Sequence, residues 1–307
     1  MARLGSVKAA AGELDVSEAA VSMHVGQLRK EFDDLLFTRT SAGLAFTPGG
    51  LRLASRAVEI LGLQDRTVRE VTQAGHGVRV LRVAASTLFA EHAAPGLIDL
   101  FASRAADLEV ELSVHSAAEL PALLATRTVD VAIGPAPSAP IESLAQLPFL
   151  LYEVQAVAGP AHPLAGQSLT TDQIRRQSWN LGPSAVDAEG VVPAMLKRLG
   201  VPEKHQRIFQ SHAAAVEETT RGDGVALAVG FSVSGDLSAG RLVPLEGPGL
   251  RAQGRWTALA LTRENQTPAA AELMRFITTP RATQAMIRGA GVHVGRFKPA
   301  VHVTLWS

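Results

Sequence analysis

Residues 5–50 read GSVKAAAGELDVSEAAVSMHVGQLRKEFDDLLFTRTSAGLAFTPGG, and the order of signals in this stretch decides the fold. Ser6 is placed to cap a short helix through Leu14, in which Val7, Ala10, Ala11 and Leu14 recur at helical spacing. Leu14-Asp15-Val16 then reads as a turn, and Ser17 is placed to cap a second helix. In that helix Val21, Val25, Leu28 and Phe32 are spaced 4, 3 and 4, which puts all four on one stripe. The opposite face carries Ala19, Met23, Gly26, Gln27 and Lys30. Leu35 to Arg39 reads as a strand, Thr40 to Gly43 as a turn and Leu44 to Thr47 as a returning strand. Thr47 and Pro48 open a further helix, with proline at a first-turn position where its missing N–H costs nothing.

A helix pair about a short turn, followed by a two-stranded wing, is how a winged helix-turn-helix is written in sequence. Such modules set the second helix into the major groove of DNA. A small helical bundle accounts for the helix pair but not for the strand–turn–strand behind it. The candidate contacts are Ser17, Glu18, Ala19, Ser22, Met23 and Gln27 on the second helix, and Arg39, Thr40, Ser41 and Thr47 toward the phosphate backbone. Residues 1–50 hold Arg3, Lys8, Arg29, Lys30 and Arg39 against Glu13, Asp15, Glu18, Glu31, Asp33 and Asp34, a net of −1. Phosphate neutralisation supplies much of DNA affinity, so this footprint predicts modest binding unless two modules act together.

From Pro48 to about Gln73 only Gly49, Gly50 and Gly62 weaken a helical reading. Ala54, Leu61 and Val68 recur every seven residues, with Ala57, Gln64 and Val71 three positions on. The seam runs for roughly 35–40 Å at 1.5 Å per residue. Arg52, Arg56, Glu59, Arg66 and Arg69 avoid it. This favours a dimerising helix, paired through Ala54, Ala57, Leu61, Val68 and Val71, over a helix packed on its own domain. Gly75-His76-Gly77 reads as a hinge.

At 307 residues the chain has room for about two domains. Apolar residues are 47% and charged residues 19%, the balance of a globular protein. Lys+Arg and Asp+Glu are both 29, so no global charge advertises a partner. The absence of cysteine excludes disulfides and thiolate metal sites and fits a reducing cytosol. With no apolar signal region and no membrane-length apolar run, the expected location is cytoplasmic.

Beyond residue 77 strands and helices alternate. Strands are expected at 78–84, 108–114, 129–134, 149–158, 179–181, 207–210, 224–229 and 255–262, and helices at 95–104, 120–126, 191–199, 216–221, 269–279 and 281–288. This is an α/β pattern in two lobes. Ligands in such sheets sit off the carboxyl ends of the strands. Those ends offer Ser86, Thr87, Gly134, Gly182, Pro183, Ser184, Ser211 and Phe231. Ser86 and Thr87 suit a carboxylate ligand and equally suit a helix cap. His212 reads as a structural histidine, and His162 with Pro163 as a lobe-crossing turn. No phosphate loop, nucleophile elbow or metalloprotease motif occurs, and the histidines lack metal-ligand spacing, so no enzyme and no metal or other cofactor is expected.

Gly5-Ser6 before an Ala-rich helix, Ser17 with Ala20, Val21 and Ser22, Leu36-Phe37-x-Arg39 and Thr47-Pro48-x-Gly50 together resemble the LysR-type transcriptional regulators. Leu120-x2-Leu123-Leu124-x5-Asp130-Val131-Ala132-Ile133, His162-Pro163-Leu164-Ala165 and Gly222-x-Gly224-Val225-Ala226-Leu227 are similar to the effector domain of that family, a fold shared with periplasmic binding proteins. The family usually has further residues ahead of Gly5, so the first helix is expected to be short. It usually carries Gln where Glu18 stands, and often Arg where Met23 stands.

The resemblance implies a winged helix-turn-helix over 1–48, a linker and dimerisation helix with hinge over 49–76, and a two-lobed, periplasmic-binding-protein-like effector domain over 77–307. Lobe I takes about 77–157 and 264–307, lobe II about 158–263, and residues after Val294 fall outside the family pattern. The implied function is a promoter-binding regulator, a homodimer or homotetramer, modulated by a non-covalent small organic effector, with carboxylates among the candidates. A receptor module that has lost DNA binding, and an α/β enzyme with an unrelated helical N-terminus, are the competing readings.

Overall fold

The computed structural model describes residues 1–2, 4–40, 43–74 and 77–288, with the backbone alone at 39, 40, 43, 73 and 74. Ser41, the hinge residues Gly75 and His76, the side chains of Arg39 and Thr40, and the stretch after Val294 lie outside what is described. By packing, the chain divides into two units, 1–68 and 69–307.

In the first unit both predicted caps form. Ser6 Oγ accepts from Ala9 N at 3.0 Å and starts α1 (Val7–Glu13). Ser17 Oγ accepts from Ala20 N at 3.1 Å and starts α2 (Glu18–Phe32). Asp15, at φ 52°, turns the chain between them. Val7, Ala10, Ala11 and Val21 make the small core, while Leu14 is exposed, contrary to its place in the predicted pattern. The α2 stripe is likewise buried only at Val21. Leu28 is exposed and Phe32 is 51% exposed, because shared periodicity puts side chains on one face without providing anything to cover them.

β1 (Phe37–Thr40) and β2 (Gly43–Phe46) pair antiparallel as the wing, Phe37 opposite Phe46. α3 (Pro48–Ala74) follows as one 27-residue helix. Gly50 is required at its start, because a Cβ there would run into the carbonyl of Leu36.

The second unit is built on one nine-stranded sheet. In chain order its elements are β3 (Arg79–Ser86), α4 (Thr87–His92), α5 (Ala94–Ala102), β4 (Leu108–His115), α6 (Leu120–Ala125), β5 (Val131–Gly134) and β6 (Leu144–Ala158). There follow α7 (Thr171–Arg175), β7 (Trp179–Leu181), α8 (Val191–Leu199), β8 (Gln206–Ile208), α9 (His212–Thr220), β9 (Val225–Val229), α10 (Ser234–Ser238), β10 (Val243–Pro244), β11 (Arg251–Leu261), α11 (Pro268–Phe276) and α12 (Pro280–Arg288).

The strand order is β4-β3-β5-β11-β6-β9-β7-β8, with β10 on β6. Each end is a parallel triplet with its first strand in the middle, β3 between β4 and β5, and β7 between β8 and β9. The two triplets are the two lobes. Between them β6 and β11 run antiparallel over their whole length, with one register shift at Trp256/Thr257. Both strands therefore serve both lobes, β6 starting five residues before the predicted Phe149 and β11 four before Arg255.

An aromatic cluster fills this junction. Trp256, fully buried, stacks on Tyr152 at 4.1 Å between centroids and meets Phe89 edge-on at 5.2 Å and Phe231 at 6.1 Å. α4 adds a short helix ahead of the one expected from residue 95, and α9 begins at His212, four residues before Val216, because Ser211 caps it.

Candidate functional site

On α2 the side chains of Ser17, Glu18, Ala19, Ser22, Met23 and Gln27 are all exposed, on a helix immediately ahead of the wing. His24 Nδ1 lies 3.3 Å from Gln27 Oε1 and steadies that amide. Arg29, counted above among the basic charges, is turned inward. Its Nε donates to Leu35 O and one terminal nitrogen to Phe37 O, both at 2.7 Å, with the guanidinium 4.7 Å from the Phe37 ring. It ties helix to wing through these two bonds.

Thr47 has a similar internal role. Its hydroxyl donates to Asp34 Oδ1 at 2.7 Å and accepts from Gly50 N at 2.8 Å, which joins the end of α2 to the head of α3. Asp34 also accepts from Leu36 N at 2.6 Å. The Thr47 hydroxyl, and then the Leu36 amide, hold the Asp34 carboxyl below its ordinary 3.8. Below that value the unfolded chain takes up a proton that the folded chain still refuses, so this stabilisation is present above about pH 4 and fades as pH falls. Thermal melts of Asp34→Asn across this range are expected to show a flatter acid limb than wild type. Parallel curves would rule out the knot as an acid-sensitive element.

In the second unit, the carboxyl ends of β3 and β7 face each other across the cleft between lobes, as the mirrored strand order requires. A cavity of about 20 Å³ lies there, with Ser86, Leu88 and Pro135 from one lobe, Tyr152 from the shared ribbon, and Ser184, Asp187, Glu189 and Val191 among those from the other. That is room for about one water molecule. The Ser86 hydroxyl, buried, has no hydrogen-bond partner among the described residues and does not cap α4. Burial pushes the Asp187 carboxyl up, against the pull of His212. Burial also pushes the Tyr152 hydroxyl up.

Of the ligand residues expected from sequence, Ser86 and Ser184 line this cavity. Gly134 sits beside it, where a Cβ would be 3.5 Å from Ser86 Oγ. Thr87 is the first residue of α4, and Pro183 opens a short 3-10 turn. Ser211 Oγ accepts from Ala214 N at 3.1 Å as the cap of α9. Phe231 packs on Trp256. Gly182 lies under the His212 ring, which a Cβ would strike.

His212 is the centre of a chain of polar contacts between the lobes. Its Nε2 is 2.6 Å from Ser184 Oγ, and its Nδ1 is 3.0 Å from Glu91 Oε1. Glu91 Oε2 also accepts from the backbone N–H of His212 at 2.8 Å and of Ala213 at 3.4 Å. A carboxylate on α4 thus caps α9 of the other lobe. Burial works to raise the Glu91 carboxyl, but the His212 hydrogen bond and charge outweigh it and hold it low. The His92 ring lies 5.6 Å from that of His212, and burial first, then His212, pushes it down to about 4.

Serine, histidine and carboxylate in this order is the arrangement that activates a hydrolase nucleophile. Here the three groups join the two lobes through the Glu91–His212–Ser184 contacts. Sequence reading missed Glu91, His92, Asp187 and Glu189. Glu91 and His212 are 121 residues apart, and no local spacing signals their meeting.

Comparisons with known proteins bear on both units. Residues 1–51 match the bacterial regulatory helix-turn-helix protein, lysR family, and residues 74–280 match the LysR substrate binding domain. A Mycobacterium tuberculosis chain described as an uncharacterized HTH-type transcriptional regulator is 58% identical over 99% of this chain and 96% of its own. The RuBisCO operon transcriptional regulator of Allochromatium vinosum is 26% identical over 92% and 93%. Among solved structures, ArgP from Mycobacterium tuberculosis superposes with a TM-score of 0.59 at 15% identity, covering 94% of this chain and 93% of that one.

Proposed function

This chain belongs to the LysR-type family of transcriptional regulators, and from that premise we propose how its own residues read DNA and receive a signal. Two copies pair along α3 through Ala54, Ala57, Leu61, Val68 and Val71, so that each α2 enters a successive major-groove half-site. Ser17, Glu18, Ala19, Ser22, Met23 and Gln27 meet base edges and adjacent sugars, and Arg39, Thr40 and Ser41 on the wing meet phosphates. Thr47 serves by holding the wing to α3. The observation that carries this reading is the exposed row of six on α2 directly ahead of a two-stranded wing.

The effector binds between Ser86 and Ser184, and the lobes part to admit anything larger than water. Asp187 and Glu189 stand in the lining, which contains no Lys or Arg among the described residues. A cationic or hydrogen-bond-donating effector suits such walls better than the carboxylate that the Ser86-Thr87 pair suggested. No described helix is long and apolar enough to cross a membrane. The work of the protein lies with DNA in the cytoplasm.

Gel shifts with a fragment from upstream of its own gene, over a salt series, test the reading. Binding is expected to weaken steeply with salt. Arg39→Ala is expected to weaken binding to every sequence, whereas Gln27→Ala changes the ranking of sites in a library, by about 1–3 kcal/mol at one base pair. Uniform loss for both variants overturns the assignment. If no fragment binds at low salt while ligands still raise the melting point, the receptor reading, which the acidic balance of residues 1–50 favours, replaces it.

A further inference from the structure

We propose that Glu91, His92 and His212 form a site for one divalent transition-metal ion, zinc(II) fitting best, which ties α4 of one lobe to α9 of the other. One ligand atom from each residue can be chosen so that all lie within 4.8 Å of one another. Tetrahedral zinc with N and O ligands at about 2.0–2.2 Å needs edges of about 3.4 Å, so the widest edge has to close by no more than about 1.4 Å. The Glu91–His212 edge, at 3.0 Å, opens slightly. His92 follows Glu91 at the last turn of α4, where the helix ends at Ala93, and its ring already lies beside that of His212. Two imidazoles and one carboxylate make the donor set of open zinc sites, with water completing the tetrahedron.

The surroundings are those of a supported ligand. His212 is 3% exposed, and its ring is held from behind by Ser184 Oγ at 2.6 Å, the kind of partner that orients a metal-bound imidazole. Glu91 keeps its second oxygen on the backbone N–H of His212.

Without metal, ionised Glu91 can only accept, so when the His212 ring is neutral it carries its proton on Nδ1, and Nε2 accepts from the Ser184 hydroxyl. With metal on Nδ1, the neutral ring carries its proton on Nε2 and donates it to Ser184 Oγ. The Ser184 hydroxyl is thereby turned from donating to His212 to pointing elsewhere, and Ser184 is also a wall of the effector cavity. Metal at this site therefore alters what the cavity offers a ligand, and because its donors come from both lobes, it favours the closed arrangement.

Equilibrium dialysis of the chelator-stripped full chain against zinc chloride tests this, with bound metal counted by mass spectrometry. Wild type is expected to retain one zinc per chain. His92→Ala is the decisive variant, since the His92 contact described above is a ring contact rather than a hydrogen bond, and it is expected to lose that zinc while keeping the wild-type circular dichroism spectrum. His92→Asp is expected to restore it. Ser184→Ala, which leaves all three donors, is expected to weaken binding about 10–100-fold. A wild-type chain that retains no zinc overturns the proposal. So does equal retention by wild type and His92→Ala, which would mark adventitious binding at other histidines.

Discussion

Trp256→Ala is expected to lower the unfolding free energy of the second unit by about 3–5 kcal/mol, the usual cost of emptying a large aromatic from a core. For a unit of this size that is a fall in melting temperature of about 6–20 °C. The effect is large because Trp256 is fully buried and touches both lobes at once, with Phe89 on α4, Tyr152 on β6 and Phe231 after β9. Its indole N–H has no partner among the described residues, so its contribution there is packing. Trp256→Phe should recover much of the stability. Thermal and urea unfolding of the three chains decide it, and a loss below about 1 kcal/mol would mean the cluster is dispensable.

The second large effect concerns assembly. The double change Leu61→Glu with Val68→Glu should turn a pair of chains into single chains in light scattering. Leu61 is 58% exposed and Val68 60% exposed, two apolar side chains a heptad apart on one 27-residue helix. Like charges facing one another across a paired seam oppose association. Losing the second module should cost on the order of 10²–10⁴ in DNA affinity, the gain that linked binding ordinarily gives. The slope of affinity against salt should fall by about half as phosphate contacts are halved. An unchanged mass would show that the copies meet elsewhere.

Much of the architecture could be read in the sequence where one local rule governs. Ser6 and Ser17 each precede an apolar-periodic run and each caps it; Trp179–Leu181 and Val191–Leu199 have the expected limits. Periodicity fails where coverage matters. Val21 and Phe32 belong to one stripe, yet one is buried and the other exposed. Charge counting fails where a cation turns inward, as Arg29 does against Phe37. The candidate site was legible only as strand ends, because the mirrored strand order brings Ser86 and Ser184 to one cavity. The chain from Glu91 through His212 to Ser184 depends on contacts between residues far apart in sequence, and neither helix announces the other. Even the cap of α9 is shared between a local serine and a glutamate from the opposite lobe.

The full-length pairing of β6 with β11 has a mechanical meaning. Two lobes joined by single loops can swing apart freely. Lobes joined by a hydrogen-bonded ribbon of two strands part only as far as the ribbon twists or bends with its ladder intact. The soft coordinate left to such a ribbon is torsion about its own length, and the register break beside Trp256 is where added twist is absorbed. A ligand between the lobes would then be felt outside them as a small rotation.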